Sequence, residues 1–463
     1  MIKKLTWLLA LLPSLAMAAD FDGAQLSLLW AAPFAGLLLS IALFPIFAPA
    51  FWHHHFGKIS AFWAAAFLLP FISSFGVAPA AGIVVHAMLA EYIPFILILF
   101  ALYTVSGGIL MSGNLHGSPK LNTGILALGA VMASLMGTTG AAMLLIRPLL
   151  KANDNRSHNV HVVVFFIFLV ANIGGGLTPL GDPPLFLGFL KGVDFMWTVE
   201  HMMWPVLFAA AILLAMFYAI DSYYYKKEGV LPIDRTPDSK IEFFGLWNFA
   251  LIGAIIACVV MSGIWKPGIE WNIMGTHVEL QNIVRDVLLV LIAIISLKFT
   301  KKEIRAGNDF NWGPILEVAK LFAAIFIAMA PAIAILRAGE AGQMASLVKM
   351  VTSPDGMPID YMYFWMTGVL SAFLDNAPTY LVFFNLASGD AAHLMGPMAS
   401  TLLAISCGAV FMGALSYIGN APNFMVKAVA EDRGVKMPSF FGYMAWSCVC
   451  LLPVFILMTL VFF

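Results

Sequence analysis

Long apolar segments alternate with short polar ones along almost the whole chain. A helix needs roughly 20 apolar residues to cross a hydrocarbon core about 30 Å thick. Uninterrupted segments near that length occur at 26–48, 59–75, 91–111, 201–225, 245–265, 284–299, 314–336 and 440–463. The pattern therefore predicts an all-α polytopic membrane protein.

Two more apolar segments, 160–190 and 396–426, are interrupted by residues that a continuous helix does not accommodate. The first contains ANIGGGLTPLGDPPLFLG at 171–188, and the second contains SYIGNAPNFM at 416–425. Unpaired backbone groups cost several kcal/mol each in hydrocarbon, so unwound chain at this depth must lie inside protein or line a wet cavity. Two matched broken helices are typical of secondary transporters.

Two other apolar segments are each split near the middle by a turn-like sequence. Gly137-Thr138-Thr139-Gly140 divides 121–150, and Asp375-Asn376-Ala377-Pro378-Thr379 divides 361–388. Each segment is predicted to be a re-entrant hairpin with its tip at the interruption. For the first segment, a single kinked helix is the alternative.

The order of these elements repeats. Residues 19–225 and 245–463 each contain five spans, one of them broken, and one hairpin, and a cytoplasmic linker at 226–244 joins them. Five is odd, so the second repeat is predicted to be inverted relative to the first, with the two hairpin tips meeting near the midplane. The predicted cytoplasmic loops contain most of the lysines and arginines, as the positive-inside rule requires.

Composition narrows the class of protein. The chain is 61% hydrophobic and 11% charged, whereas soluble domains have about 25% charged residues. The basic residues are scattered and the net charge is -1, which argues against nucleic acid as a partner. Nucleotide-binding loops and hydrolase motifs are absent from the sequence, so neither an enzyme nor a bound cofactor is expected.

The N-terminus resembles a secretory signal. Lys3 and Lys4 precede a short apolar run, and Ala16-Met17-Ala18 fits a cleavage site. We therefore predict a signal peptide at 1–18, with an uncleaved anchor as the alternative, and a location in the bacterial inner membrane.

The two tips and the two broken helices would bring one set of polar residues together. These are Thr138, Thr139, Asn172, Thr178, Asp182, Asp375, Asn376, Thr379, Ser416, Asn420 and Asn423. Hydroxyl, amide and carbonyl oxygens suit an alkali cation, whereas helix N-termini suit an anion. The neutral residues leave both possibilities open.

The two aspartates favour a cation. A carboxylate deep in a membrane is normally paired, bound to a cation or protonated, so Asp182 or Asp375 could hold sodium and a proton in turn. Two carboxylates would also repel citrate or succinate. The structural alternatives are a helix N-cap at Asp182, which precedes Pro183, and a turn residue at Asp375. Glu91 is interpreted as an interfacial anchor.

The element order over 26–463 resembles the ion transporter superfamily, together with NIGGGLTPLGD at 172–182 and FLDNAPT at 373–379. Within it, the chain is most similar to the NhaD-type sodium/proton antiporters, whose relatives include arsenite exporters and dicarboxylate or citrate transporters. The resemblance implies an elevator-type transporter and a homodimer. Pro183-Pro184 and Ile418-Gly419-Asn420-Ala421-Pro422-Asn423 depart from the NhaD pattern and resemble a branch assigned to citrate transport.

The sequence therefore predicts a secondary transporter that exchanges sodium or lithium for protons by an elevator-like mechanism. Sodium-coupled transport of citrate or a dicarboxylate is the alternative. The expected partners are membrane lipid, the small transported ions and a second copy of the chain.

Overall fold

The computed structural model describes residues 22–229 and 239–463. The predicted signal peptide at 1–18 lies outside these ranges, as do residues 230–238 of the predicted linker at 226–244. The remaining linker residues are the end of one helix and a short strand.

The described part of the first half contains nine α-helices. After a 3-10 turn at Leu28–Ala31 they are α1 (Ala32–Phe47), α2 (Pro49–Phe75), α3 (Val77–His86), α4 (Ile93–Ser106), α5 (Pro119–Met136), α6 (Thr138–Ala152), α7 (Val160–Leu169), α8 (Pro183–Leu190) and α9 (Phe195–Glu228). A π-helical turn, Ala87–Tyr92, joins α3 to α4, so residues 77–106 form one continuous helical segment.

The second half contains eleven more α-helices among the described residues. They are α10 (Trp247–Ile264), α11 (Leu280–Phe299), α12 (Lys302–Gly307), α13 (Gly313–Arg337), α14 (Ala345–Val351), α15 (Asp360–Leu374), α16 (Asn376–Ala387), α17 (Ala391–Met395), α18 (Ala399–Met412), α19 (Ala421–Asp432) and α20 (Phe440–Phe462). Short 3-10 turns lie at Ile173–Leu177, Gly339–Ala341 and Gly413–Leu415.

Two small antiparallel sheets correct the purely helical prediction. β1 (Leu110–Asn114) pairs with β2 (Ser239–Phe244), with Leu110 opposite Phe244, and β3 (Glu270–Ile273) pairs with β4 (Thr276–Glu279). The first sheet joins the two halves of the chain through backbone hydrogen bonds.

Ten helices in the described ranges are long and apolar enough to cross a membrane. The prediction of a polytopic helical membrane protein is confirmed at this level. Burial inside the protein separates central from peripheral helices. In the span Val160–Leu177, 89% of the residues are buried, whereas in the apolar 18-residue window of Pro49–Phe75 only 17% are. The first broken helix therefore lies in the core, whereas α2 leaves most of its apolar surface exposed.

Candidate functional site

Both predicted tips are abrupt breaks between two helices. Gly137 separates α5 from α6 with φ +80°, and Asp375 separates α15 from α16 with φ +73°. Glycine adopts this backbone region at little cost, but aspartate rarely does. Thr138 and Asn376 are thereby the first residues of α6 and α16.

The two broken helices resume through residues with matching backbone conformations. Asp182 is the N-cap of α8 with φ −142° and ψ 142°, and Asn420 is the N-cap of α19 with φ −150° and ψ 138°. Each lies four residues after a hydroxyl residue, Thr178 or Ser416, whose backbone is also extended. Asp182 and Asn420 therefore occupy equivalent positions in the two halves.

These four helix starts converge on the carboxylate of Asp182, which is 2% exposed. Its Oδ1 accepts hydrogen bonds from Thr138 Oγ1 at 3.2 Å and from Asn420 Nδ2 at 2.9 Å. Its Oδ2 accepts one from Asn376 Nδ2 at 2.5 Å. We call Asp182, Thr138, Asn376 and Asn420 the Asp182 centre. The carboxylate thus receives donors from both tips and from the other broken helix.

The Asp182 centre contains a buried carboxyl group that has no basic partner in the described part of the chain. Within 22–229 and 239–463, no lysine, arginine or histidine forms an ion pair with Asp182. Beside it, Oδ1 of the fully buried Asn376 has no hydrogen-bond partner among the residues that the structure describes. A buried acceptor without a donor is costly, and a bound cation would satisfy it.

Asparagine side chains hold the two broken helices together behind the Asp182 centre. Asn420 Nδ2 also donates to the carbonyl oxygen of Ala171 at 3.0 Å, and Asn172 Nδ2 donates to Asn423 Oδ1 at 2.7 Å. Asn423 in turn donates to the carbonyl oxygens of Gly413 and Ser416, both at 2.9 Å. Amide side chains therefore replace the backbone hydrogen bonds that the breaks remove.

Thr178 and Ser416 fasten each break to the neighbouring hairpin in the same way. Thr178 Oγ1 donates to the carbonyl oxygen of Ser134 at 2.5 Å, and Ser416 Oγ donates to that of Ala372. Each hydroxyl also accepts from a backbone N–H two residues later, at 3.2 Å in both halves. Neither hydroxyl bonds to Asp182, so both residues support the centre rather than belong to it.

The other predicted residues lie at the tips without bonding to Asp182. Asp375 is half-buried and accepts a hydrogen bond from the N–H of Ala377 at 3.2 Å, while Thr379 Oγ1 donates to the carbonyl oxygen of Asp375 at 2.7 Å. Thr139 is half-buried, and within the described ranges it makes no side-chain hydrogen bond to the centre.

Glycines allow the chain to cross itself closely at each break. A Cβ on Gly181 would lie 2.1 Å from the carbonyl oxygen of Gly175, and one on Gly419 would lie 2.5 Å from that of Gly413. Real Cβ atoms do not approach that closely, so these crossings require glycine.

Several polar contacts were not predicted from the sequence. The hydroxyls of Ser134 and Ser371 donate to the carbonyl oxygens of Gly174 and Ala409, and thereby join each hairpin to a broken helix. Each serine lies within five residues of a tip in an apolar helix, and that spacing was the available signal. Glu91 is not only an interfacial anchor, because it is buried and forms an ion pair with Lys191.

A second buried network lies away from the Asp182 centre. Arg156 Nη1 lies 2.6 Å from Asp221 Oδ1, and both side chains are 0% exposed. His161 Nε2 contacts the same carboxylate at 2.8 Å, and Asn122 Nδ2 donates to it at 2.9 Å. This network joins the base of the first hairpin to α7 and α9.

Comparison with known proteins identifies the family. A family model described as "Putative citrate transport" matches residues 23–463. The chain belongs to this family. Its multi-pass helical architecture agrees with that assignment, and the protein is accordingly a membrane transporter.

Three curated proteins that are similar to this chain come from mycobacteria. An uncharacterized transporter of Mycobacterium tuberculosis is 24% identical over 337 residues, which cover 71% of this chain and 73% of the relative, and a Mycobacterium bovis transporter matches equally. A "46 kDa membrane protein" of Mycobacterium leprae is 20% identical over 341 residues, with the same shares of both chains.

Proposed function

We propose that the protein exchanges sodium or lithium for protons, and that Asp182 holds the two ions in turn. The observation that carries this proposal is a buried carboxylate with no basic partner among the described residues, beside an unpaired amide oxygen of Asn376. A cation bound there would take hard oxygen ligands from Asp182, Asn376 and Thr138. A proton on Asp182 would remove the charge that attracts the cation, so binding of the two ions would be mutually exclusive.

The conformational part of the proposal is alternating access by an elevator-like movement of two inverted repeats. It is supported by the equivalence of Asp182 with Asn420 and of Gly137 with Asp375. Hydrogen bonds join both hairpins and both broken helices around one carboxylate, which favours their movement as one unit. We also propose a homodimer in the bacterial inner membrane, in contact with lipid and without a resident cofactor.

Everted membrane vesicles test exchange directly. After respiration acidifies the lumen, addition of sodium or lithium should dequench an internal pH dye, whereas potassium should not. Asp182→Asn should abolish the response because it removes the titratable charge. Protein level and melting temperature in detergent serve as controls for folding. Absence of any sodium or lithium response across pH 6–9.5 would exclude this function.

Cation-coupled transport of citrate or a dicarboxylate is the second candidate, and the family match favours it. Four helix N-termini meet at the Asp182 centre, and such termini also stabilise substrate carboxylates. Proteoliposomes with an inward sodium gradient should then accumulate radiolabelled citrate or succinate, and Asp375→Asn should leave citrate binding largely intact. Accumulation without any dequenching in the vesicle assay would select this function over exchange.

A further inference from the structure

An ion pair links the far end of α8 to the π-helical turn of the neighbouring helical segment. Lys191, the C-cap of α8, forms a hydrogen-bonded pair with Glu91, which lies within Ala87–Tyr92. The two side chains are 19% and 8% exposed, respectively. Removing two charges from water costs desolvation free energy, which their mutual attraction does not always offset. The presence of this largely buried pair therefore needs an explanation.

The pair is mechanically connected to the Asp182 centre. Asp182 is the N-cap and Lys191 the C-cap of the same eight-residue helix, which makes α8 a rod about 12 Å long between them. Any movement of the carboxylate relative to the 77–106 segment therefore displaces Lys191 or separates it from Glu91.

The packing of α8 is uneven. On one side it fits closely against α16, since a Cβ on Gly188 would lie 2.4 Å from the hydroxyl oxygen of Tyr380. Its packing against the 77–106 segment is sparse by comparison. The Lys191 and Glu91 side chains therefore provide the hydrogen-bonded link across the looser of the two contacts.

A cavity lies beside the residues that flank the pair. A cavity of about 270 Å³ is lined by Leu89 and Ala90 from the π-helical turn and by Gly192 and Val193 directly after Lys191. Within the described ranges this turn is the only π-helix, and such turns are frequent at functional sites. Glu91 follows Ala90 and Lys191 precedes Gly192, so the cavity lies beside the pair, although neither side chain lines it.

We infer that Lys191 and Glu91 are positioning residues, which hold α8 in the conformation described and separate during each transport cycle. This inference rests on the proposed alternating access of the Asp182 centre. The pair does not bind the transported ion. Its role is to hold α8 in a fixed position relative to the 77–106 segment.

Swapping the two charged residues distinguishes the interaction between Glu91 and Lys191 from the effect of either residue alone. Glu91→Gln and Lys191→Gln should each lower the transport rate about tenfold, because each leaves a charge unpaired in the described conformation. The exchanged pair, Glu91→Lys with Lys191→Glu, should recover most of that loss. Lys266→Gln is the matched control, since Lys266 lines the same cavity and forms no ion pair within the described ranges. An exchanged pair no better than the single variants would overturn the inference.

Cross-linking tests whether the pair must open. Glu91→Cys and Lys191→Cys are combined in a protein whose four native cysteines are replaced. A bis-methanethiosulfonate linker joins the two thiols through disulfides with release of methanesulfinate, and a reductant cleaves the link. The linked protein should lose transport, keep the sodium-induced rise in melting temperature, and regain transport after cleavage. Transport at the unlinked rate would refute opening of the pair.

The two proposals fail in different ways in this experiment. If sodium does not raise the melting temperature of the unlinked protein and dequenching is absent, the exchange function fails. The linked and cleaved proteins are then compared by citrate uptake, so the positioning role is still decided.

Discussion

Asp375 has a backbone conformation that L-residues rarely adopt, at the point where the first half has Gly137. Such conformations cost of order 1–3 kcal/mol and cluster at active sites and ligand-binding sites. Asp375 caps α16 through the N–H of Ala377, and a neutral asparagine could do the same. The carboxyl group of Asp375 is therefore the feature that needs a functional explanation.

We predict that Asp375→Gly and Asp375→Asn separate stability from transport. Asp375→Gly should leave the melting temperature unchanged or raise it, because relief of strain offsets loss of the cap. Asp375→Asn should melt like the parent, since asparagine tolerates positive φ and still caps the helix. Both should lower the rate of sodium/proton exchange in the vesicle assay. An Asp375→Asn protein with the parent's exchange rate would show that the charge is dispensable.

The adjacent threonines of the first tip provide a matched pair of variants. Thr138 donates to Asp182, whereas Thr139 does not. Because a hydrogen bond to a charged group contributes about 1.5–3 kcal/mol, Thr138→Ala should raise the half-saturating sodium concentration roughly tenfold or more. Thr138→Ser should restore it, and Thr139→Ala should have little effect. Sodium titrations of exchange measure all three, and equal effects of the two alanine variants would contradict the assigned contact.

At the residue scale, the sequence predicted which polar side chains belong to the site better than it predicted which of them bond to each other. Asp182, Asn376 and Asn420 could be selected because polar side chains are rare in apolar segments beside Gly and Pro. The sequence did not distinguish Thr138 from Thr139, because which of two adjacent hydroxyls faces the carboxylate depends on how α6 leaves the Gly137 break. Nor did it indicate that Glu91 and Lys191 meet, since they belong to different helices.

At the scale of the elements, the tightest steric constraint is the close approach of two backbone segments at each helix break. Gly181→Ala and Gly419→Ala should destabilise the protein by about 1–3 kcal/mol or prevent folding, because the new methyl groups overlap backbone atoms. Gly253→Ala is the matched control, since a Cβ there meets nothing within 4 Å. Thermal unfolding in detergent, followed by size-exclusion chromatography, measures the difference. Normal melting of Gly181→Ala would contradict the described crossing.

The buried Arg156 network makes a separate prediction about the base of the first hairpin. Asp221→Ala should lower stability by about 1–3 kcal/mol, because His161 and Asn122 lose their acceptor while the buried Arg156 keeps Glu228 as a carboxylate partner. Asp221→Ala combined with Glu228→Gln should lower it by about 3–5 kcal/mol, because the arginine charge is then buried without a carboxylate. Melting temperatures of the single and double variants decide this point. A double variant as stable as Asp221→Ala would mean that the ion pair between Arg156 and Glu228 does not stabilise the fold.

Helices and their breaks were predictable because length, hydropathy, glycine and proline act locally. The boundaries were less so: α2 begins at Pro49 rather than near residue 59, because His53, His54 and His55 continue the helix despite their polarity. The strands β1 and β2 could not be predicted, since their pairing joins distant segments of the chain. The π-helical turn likewise has no local signal in the sequence.

The molecule as a whole is predicted to have a fixed orientation in the membrane. From the proposed inverted repeats, a cysteine at Asp355 should react with a membrane-impermeant maleimide from outside intact spheroplasts. A cysteine at Lys302 should react only after permeabilisation. Both are introduced after replacement of Cys258, Cys407, Cys448 and Cys450. Labelling of both cysteines from the same side would rule out the proposed topology.

From the sequence alone, the convergence of the two halves on one site could only be a hypothesis. Matching breaks in two halves predicted that four helix starts approach one another. The sequence also shows which of the two equivalent N-caps carries a charge, because one is Asp182 and the other is Asn420. That three donors from three other helices converge on that single carboxylate follows from tertiary packing, which no spacing along the chain encodes.

The origin of those donors has a consequence for biosynthesis. Thr138 precedes Asp182 in the chain, but Asn376 and Asn420 are translated long after it. While the ribosome is still producing the second half, the aspartate has been inserted without most of its final partners, so during assembly it must stay hydrated or neutral. The proposed ion binding at Asp182 should therefore begin only once the chain is nearly complete. An ion that binds at that late stage would also favour maturation of slowly assembling variants.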